Sequence, residues 1–437
     1  MHARLGHAEG VAHYLLGQMV EAEAVLAQAL QHAIAIQNRN MGLDIAAYLC
    51  FSLVEQGRLK KAEQAGKESL SAFFGGLAGE GETAGDGTAS SEATTSPVAS
   101  AVYLALARTA YEQSDLQLAS TYLNLALRLG QRAGWPHFLW QIDILQAQLS
   151  QAMGDSAAAT AAVDQARQLA QSYGVPWVSR RIRAYEIRFL LVQGYIDQAV
   201  ALAKTIEPVG PIDGGDADEM ADEFEDLTLA RVWLAQGKTA EVIKCLEALR
   251  ESAMGAQRRR SLVEIQIQYA LAREAQQDIS GARDALRVAL ALAEPEGLTQ
   301  VFLDEGQPMK DLLMGLDLAN LVPAHAAGGA QLKRLMALLD PDHVDKEPTA
   351  ESKVQPLRSL EIKTDADAIE NILIEPLTGR EIEVLQLLSK GLTLAEVAKL
   401  LYLSPNTLKA HTQNIYSKFN VHSRMEAVNK ARALGLI

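Results

Sequence analysis

Residues 17–33 read GQMVEAEAVLAQALQHA, and the fold is decided here. Gly17 ends one helical run, at a position where a left-handed residue costs least. Five residues on stands Ala22, small enough to let the next helix lie close to the one before it. Val25, Leu26, Ala29, Leu30 and Ala33 then form an apolar stripe at helical spacing. This is a helix hairpin, and it recurs. The pairs are Gly17/Ala22, Gly57/Ala62, Ser114/Ala119, Gly154/Ala159, Gly194/Ala199, Gly237/Val242 and Gln277/Ala282. Successive turns stand 40, 57, 40, 40, 43 and 40 residues apart. Leu123, Leu125, Ala126 and Leu129 repeat the stripe in a later unit.

One hairpin alone leaves an apolar face in water, so neighbours stack, and an all-α solenoid with a period of about 40 is expected. An irregular helical bundle is the plainer alternative; seven turns in near-constant register argue against it. Composition agrees: 23 aromatic residues in 437, with Ala and Leu abundant, suit long helices better than strands. The one long gap holds GGLAGEGETAGDGTASSEATTSP, a flexible insertion over 75–97. Residues 211–223, PIDGGDADEMADE, read as an acidic loop, and 340–367, charged and carrying Pro341, Pro348 and Pro356, as a linker. The expected domains are therefore a repeat domain over 1–339, the linker over 340–367, and a C-terminal domain over 368–437.

From Pro376 the text changes. Three capping boxes, Thr378/Glu381, Thr393/Glu396 and Ser423/Glu426, and an N-cap at Ser404 before Pro405 mark four helix starts. The helices run over roughly 379–390, 394–401, 405–419 and 424–433. Only Tyr402-Leu403-Ser404 joins the second to the third, the short link of a helix-turn-helix. Projected at about 100° per residue, the third helix turns Leu408, His411, Thr412, Ile415 and Phe419 inward. Asn406, Lys409, Ala410, Gln413 and Ser417 lie opposite, with Thr407 and Asn414 on the shoulder. That outer face holds no acid, and its amides, hydroxyls and ammonium suit base edges and phosphates. Charge points the same way. The chain carries −14, which by itself argues against nucleic acid, but residues 376–437 hold eight bases and four acids, +4, and the other 375 residues −18.

These motifs, LTGRE-IEVLQLLSKG, EVAKLLYLS, TLKAHTQNIYSKF and AV-KA-ALGLI, resemble the LuxR-type (NarL/FixJ-type) DNA-binding domain. The resemblance implies that the third helix enters the major groove. Lys409, Ala410 and Gln413 would meet bases, while Thr407, Asn414, Lys418 and Arg424 would hold the backbone. It also implies a homodimer on DNA through the fourth helix, around 426–433. Thr393-Leu394-Ala395-Glu396 departs from the family's usual Ser-Asn-Lys-Glu, keeping the cap and losing a base. AEPEGLTQVFLDEGQPMKDLL, residues 293–313, resembles the end of the helical-repeat, TPR-like sensor domain of the large ATP-binding LuxR regulators of the maltose-regulator type. Those proteins also carry a P-loop ATPase. No G-x-x-x-x-G-K-[S/T] occurs here, so the chain looks like the C-terminal part of such a regulator, and ATP-dependent switching is not carried over.

The expected function is DNA-binding regulation of transcription. Its partners would be double-stranded promoter DNA, RNA polymerase, and a small-molecule or protein effector at the solenoid. The alternative is a protein-binding scaffold with an idle DNA head. No residue arrangement reads as catalytic or metal-binding, and no cofactor is implied. Cys50 and Cys245 lack ligand spacing and read as buried small hydrophobes in a cytoplasmic protein. No apolar run reaches membrane-spanning length. Arg258-Arg259-Arg260 reads as a solvated helix start, with a DNA or partner patch as the other option. Trp135, Trp140, Trp177 and Trp233 read as packing between repeats, with an effector pocket as the other option. Because helix follows Met1 almost at once, either upstream residues or a partner are expected to shield the first helix.

Overall fold

A computed structural model describes residues 2–74, 96–133, 136–174, 176–206, 219–316 and 327–339, together with 384–385, 387–389, 397, 408, 412–413, 415–416, 421, 424–425, 427 and 431. The chain divides into two compact units: residues 1–130 with 135–343, and residues 131–134 with 344–437. All regular elements among the described residues are helical.

The first unit begins with hairpin α1 (His2–Leu15) and α2 (Met19–Ala35), then α3 (Arg39–Glu55) and α4 (Leu59–Phe74). A 3-10 turn at Pro97–Ala99 leads into α5 (Ser100–Glu112) and α6 (Leu116–Ala133). Next come α7 (Pro136–Ala152) with α8 (Ser156–Tyr173), and α9 (Pro176–Val192) with α10 (Ile196–Ala203). The last hairpins are α11 (Glu219–Ala235) with α12 (Thr239–Gly255), and α13 (Arg259–Ala275) with α14 (Ile279–Ala293). Among the described residues three shorter helices follow: α15 (Gln300–Leu303), α16 (Gln307–Gly315) and α17 (Gly329–Leu339).

The hairpin register read from the sequence holds at each of the seven turns. Gly17, Gly57, Ser114, Gly154, Gly194, Gly237 and Gln277 all have positive φ, between 61° and 83°. In each, the next residue's N–H bonds back across the turn, as Gln18 N donates to the His13 carbonyl at 2.9 Å and Asp278 N to that of Arg273 at 2.9 Å. The small residue five positions after each turn is fully buried. The sequence did not reveal the other turns, from one hairpin to the next. Gln37, Gly174, Gln257 and Gly297 are also left-handed. The left-handed positions therefore recur every twenty residues (17, 37, 57; 154, 174, 194; 237, 257, 277, 297), once per helix. Caps sharpen several starts: Asn38, Asp155 and Asp278 accept from the backbone N–H three residues on.

Repeat arrays are usually held together by neighbours alone. Here the first unit also closes on itself. Lys60 N donates to Glu296 at 3.0 Å and Lys60 Nζ to the Pro295 carbonyl at 2.9 Å. Thr299 N donates to the Glu112 carbonyl at 2.9 Å, and Arg258 Nη1 to the Gly17 carbonyl at 3.4 Å. One continuous apolar core runs from Ala22 and Leu53 through Leu106 and Leu149 to Val263, Phe302 and Leu335, joining the early hairpins to the last.

Closure corrects two expectations. Arg258 and Arg260 are not solvated but buried, at 1% and 7% exposure. Closure and stacking put acids of other helices against them, Glu223 accepting from Arg258 and Glu112 from Arg260, and Glu264 of α13 itself also accepts from Arg260. The acidic loop also stops short, because α11 begins at Glu219 and Glu223 is buried against Arg258.

Candidate nucleic-acid interface and the solenoid cavity

In the second unit, each stretch expected to be a helix contributes buried apolar residues: Val384, Leu385 and Leu388, then Val397, then Leu408 and Ile415, then Ala427 and Ala431. Along the third stretch, Leu408, Thr412, Gln413, Ile415 and Tyr416 are helical. Leu408, Thr412 and Ile415 are buried, and the Thr412 hydroxyl donates to the Leu408 carbonyl at 2.9 Å. Gln413 is exposed. Leu408, Thr412 and Ile415 thus lie inward and Gln413 outward, as the helical projection has them, while His411 and Phe419 lie outside the described residues. Val421 N donates to the Tyr416 carbonyl at 2.9 Å, and Val421 itself is not helical. Arg424 is half-buried, and its guanidinium donates to the Leu388 carbonyl, a contact not anticipated from sequence. Asn406, Thr407, Lys409, Ala410, Asn414, Ser417 and Lys418 lie outside the described residues.

The first unit holds a partly open cavity of about 830 Å³. The first helices of hairpins three to seven contribute to its wall, and α15 and the residues after it complete it. Four arginines face it, and each meets a carboxylate. Arg108 pairs with Glu112 at 3.3 Å. Arg188 donates to Glu264 at 2.8 Å, to Thr228 and to the Phe224 carbonyl, while its guanidinium lies 3.7 Å from the Phe224 ring centre. Arg231 bridges Glu264 and Glu305, and Arg260 bridges Glu112 and Glu264.

Burial pushes the Glu264 carboxyl up, but the Arg188, Arg231 and Arg260 guanidiniums override it and hold it well below the usual carboxylate range. Burial and the neighbouring Arg231 bring Arg188 down to about 10. Burial lifts Asp304 to about 6, although Gln300 and Tyr111 donate to it. Nothing in the sequence foretold this network, because its members are spread over five helices. None of the described tryptophans lines the cavity. Trp140 is buried between repeats, with Trp177 edge-on at 5.9 Å. Cys50 is buried and donates to the Ala62 carbonyl. Burial pushes the Cys50 thiol up to about 12 and that of the half-buried Cys245 to about 11. No described helix is long and apolar enough to cross a membrane.

The family profile described as "MalT-like TPR region" matches residues 5–317. The chain belongs to the MalT-like TPR family. A second profile, "Bacterial regulatory proteins, luxR family", matches residues 375–431. The chain thus joins a MalT-like repeat region to a LuxR-family segment. It is 28% identical over 229 residues to the HTH-type transcriptional regulator MalT of Serratia proteamaculans, a match covering 49% of this chain and 23% of that protein. To the MalT of Yersinia pestis strain Pestoides F it is 26% identical over 275 residues, covering 62% of this chain and 29% of that protein. The MalT-like chain therefore aligns with less than a third of the length of these relatives.

Proposed function

We propose that this chain is a DNA-binding transcription regulator in which residues 368–437 bind promoter DNA and residues 1–339 sense an effector. One observation carries the reading. Within a segment matched by the luxR family, the third helix buries Leu408, Thr412 and Ile415 and turns Gln413 outward. Lys409, Ala410 and Gln413 then face the base edges of a major groove, with Asn406 and Ser417 beside them. Thr407, Asn414, Lys418 and Arg424 hold the phosphate backbone. One Arg424 nitrogen is taken up by the Leu388 carbonyl, which fixes the course of the side chain, and the remaining donors suit a phosphate.

The +4 head binds weakly and with strong salt dependence. Pairing two heads through the fourth helix, around 426–433, raises the effective concentration of the second, and the repeat domain controls that self-association. RNA polymerase is the partner through which a bound dimer acts, in the cytoplasm. No enzymatic step is assigned.

In an electrophoretic shift assay with the full chain and its promoter fragment, Lys409→Ala weakens specific binding by about 1–3 kcal/mol. Lys418→Ala weakens all sequences alike and lowers the salt slope. Unchanged affinity in Lys409→Ala sinks the base-reading assignment. Regulation that survives deletion of residues 376–437 in a reporter strain favours a scaffold instead.

A further inference from the structure

One guanidinium in the second unit acts on three helical stretches. Arg424 is helical and half-buried, and its Nη2 donates to the backbone carbonyl of Leu388, 36 residues earlier. Leu388 is itself helical and buried, at 1% exposure. The helical run expected there ends at 390, so Leu388 falls in its last turn. The carbonyls of a last turn have no partner within their own helix and carry the negative end of its dipole. A cation suits that place, and here it comes from the fourth stretch.

The same charge acts on the third stretch. Burial raises the pKa of the Tyr416 hydroxyl, and the Arg424 charge pulls it the other way. Val421 N donates to the Tyr416 carbonyl, which ties the approach to the fourth stretch to the same residue. The buried Leu388, Ile415 and Ala427 supply the apolar packing of these stretches. Apolar packing is non-directional and sets the spacing of helices better than their angle. A hydrogen bond is directional. The angle matters because the third helix turns Gln413 outward. A base edge rewards only a donor or acceptor in the right place, whereas attraction to phosphates carries no sequence information.

We propose that Arg424 is a positioning residue for base reading. By tying the last turn of the first helix to the third and fourth, it sets the angle at which the third helix presents Gln413 to a groove. The inference rests on the DNA-binding role given above to residues 368–437. It assigns to Arg424 a part in sequence discrimination as well as a grip on the backbone. A guanidinium can do both, because its donors point along fixed and different directions, one into the Leu388 carbonyl and others toward a phosphate. An ammonium keeps the charge but is a single point on a flexible stem.

The test compares two duplexes. One is selected by the full wild-type chain from a pool of random sequence, and the other is a shuffled duplex of the same base composition. Fluorescence anisotropy over a salt series reads the affinity for each. Arg424→Lys keeps the charge, so binding to the shuffled duplex and its salt slope hold. Its binding to the selected duplex falls about tenfold, the size of one lost base contact. Arg424→Met removes the charge as well. The salt slope becomes shallower by about one on both duplexes, and the ratio of the two affinities falls as in the lysine variant. Binding to the shuffled duplex is the control for folding, because a head without its fold loses both duplexes. An unchanged ratio in either variant overturns the proposal and leaves Arg424 a phosphate contact. An equal loss on both duplexes in Arg424→Lys also overturns it and marks a residue needed only for folding. A wild-type chain that selects no duplex fails as a DNA-binding regulator, and this inference falls with that reading. A chain that selects a duplex and keeps the ratio in the variants fails only here.

Discussion

Gly57 and Gly237 occupy the same place in their hairpins, with φ of 68° and 75°. A Cβ on Gly237 would meet nothing within 4 Å. A Cβ on Gly57 would come within 3.2 Å of Leu298 Cδ1 and 3.3 Å of Arg259 Cβ, because the closing segment lies against that turn. Gly237→Ala therefore measures the left-handed penalty alone, about 1 kcal/mol. Gly57→Ala carries that penalty and a steric one, and loses more. Urea midpoints of the two variants check this, and equal losses would show that the closing segment yields freely. Ser114 and Gln277 hold the same conformation without being glycine. They were nevertheless legible in the sequence, because the small residue five positions on marks the turn as clearly as a glycine does. Gln37, although Gly42 stands five positions after it, and Gln257, followed at that place by Leu262, were not legible as turns.

At the scale of the element, α15 and the residue after it show how burial tunes closure. Asp304 caps α15 and accepts from Tyr111 on α5 at 2.7 Å and from Gln300 at 2.8 Å. Its folded value of about 6 stands above the ordinary carboxylate value, so the fold prefers the protonated form. That contribution is complete below about pH 4 and is lost as pH rises through about 6. Acidification from about pH 7.5 to 5 should strengthen the docking of α15 by about 1.4 kcal/mol. Asp143, lifted by burial to about 7, acts in the same sense, so the comparison with Asp304→Asn isolates the one group. Urea midpoints of both proteins at the two pH values read it, and equal pH slopes would remove Asp304 from the account. Glu264 has the opposite sign: its stability is present at neutral pH and fails only in strong acid, once the three guanidiniums lose their carboxylate.

At the scale of the whole first unit, closure makes distant hairpins depend on one another. Arg258 donates to Glu223 on α11 and also to the Gly17 carbonyl in the first turn. Arg258→Met leaves Glu223 buried without its counter-charge, which costs about 3 kcal/mol. It also frees the first turn. Hydrogen exchange should quicken in α11–α13 and, at the same time, over residues 17–22. A change confined to α11–α13 would show that the closing contact carries no coupling.

The sequence by itself determined the helical class, the seven hairpin turns, the small residues beneath them, and the apolar positions Leu408 and Ile415 that the C-terminal segment buries. Each of these is written within about five residues: a left-handed residue and its back-bonded turn, or an apolar stripe at helical spacing. Only the tertiary structure decided which polar residues are buried and where the cavity stands. The long-range partners of Arg258 and Arg260 lie 35, 148 and 241 residues away, and Gln148, Gln268 and Gln300 line one cavity only because the array turns back on itself. That closure is the sum of a small rotation at every hairpin, and no local window records the sum. A solvated basic run and a buried ion-pair network therefore read alike until the first and last hairpins touch.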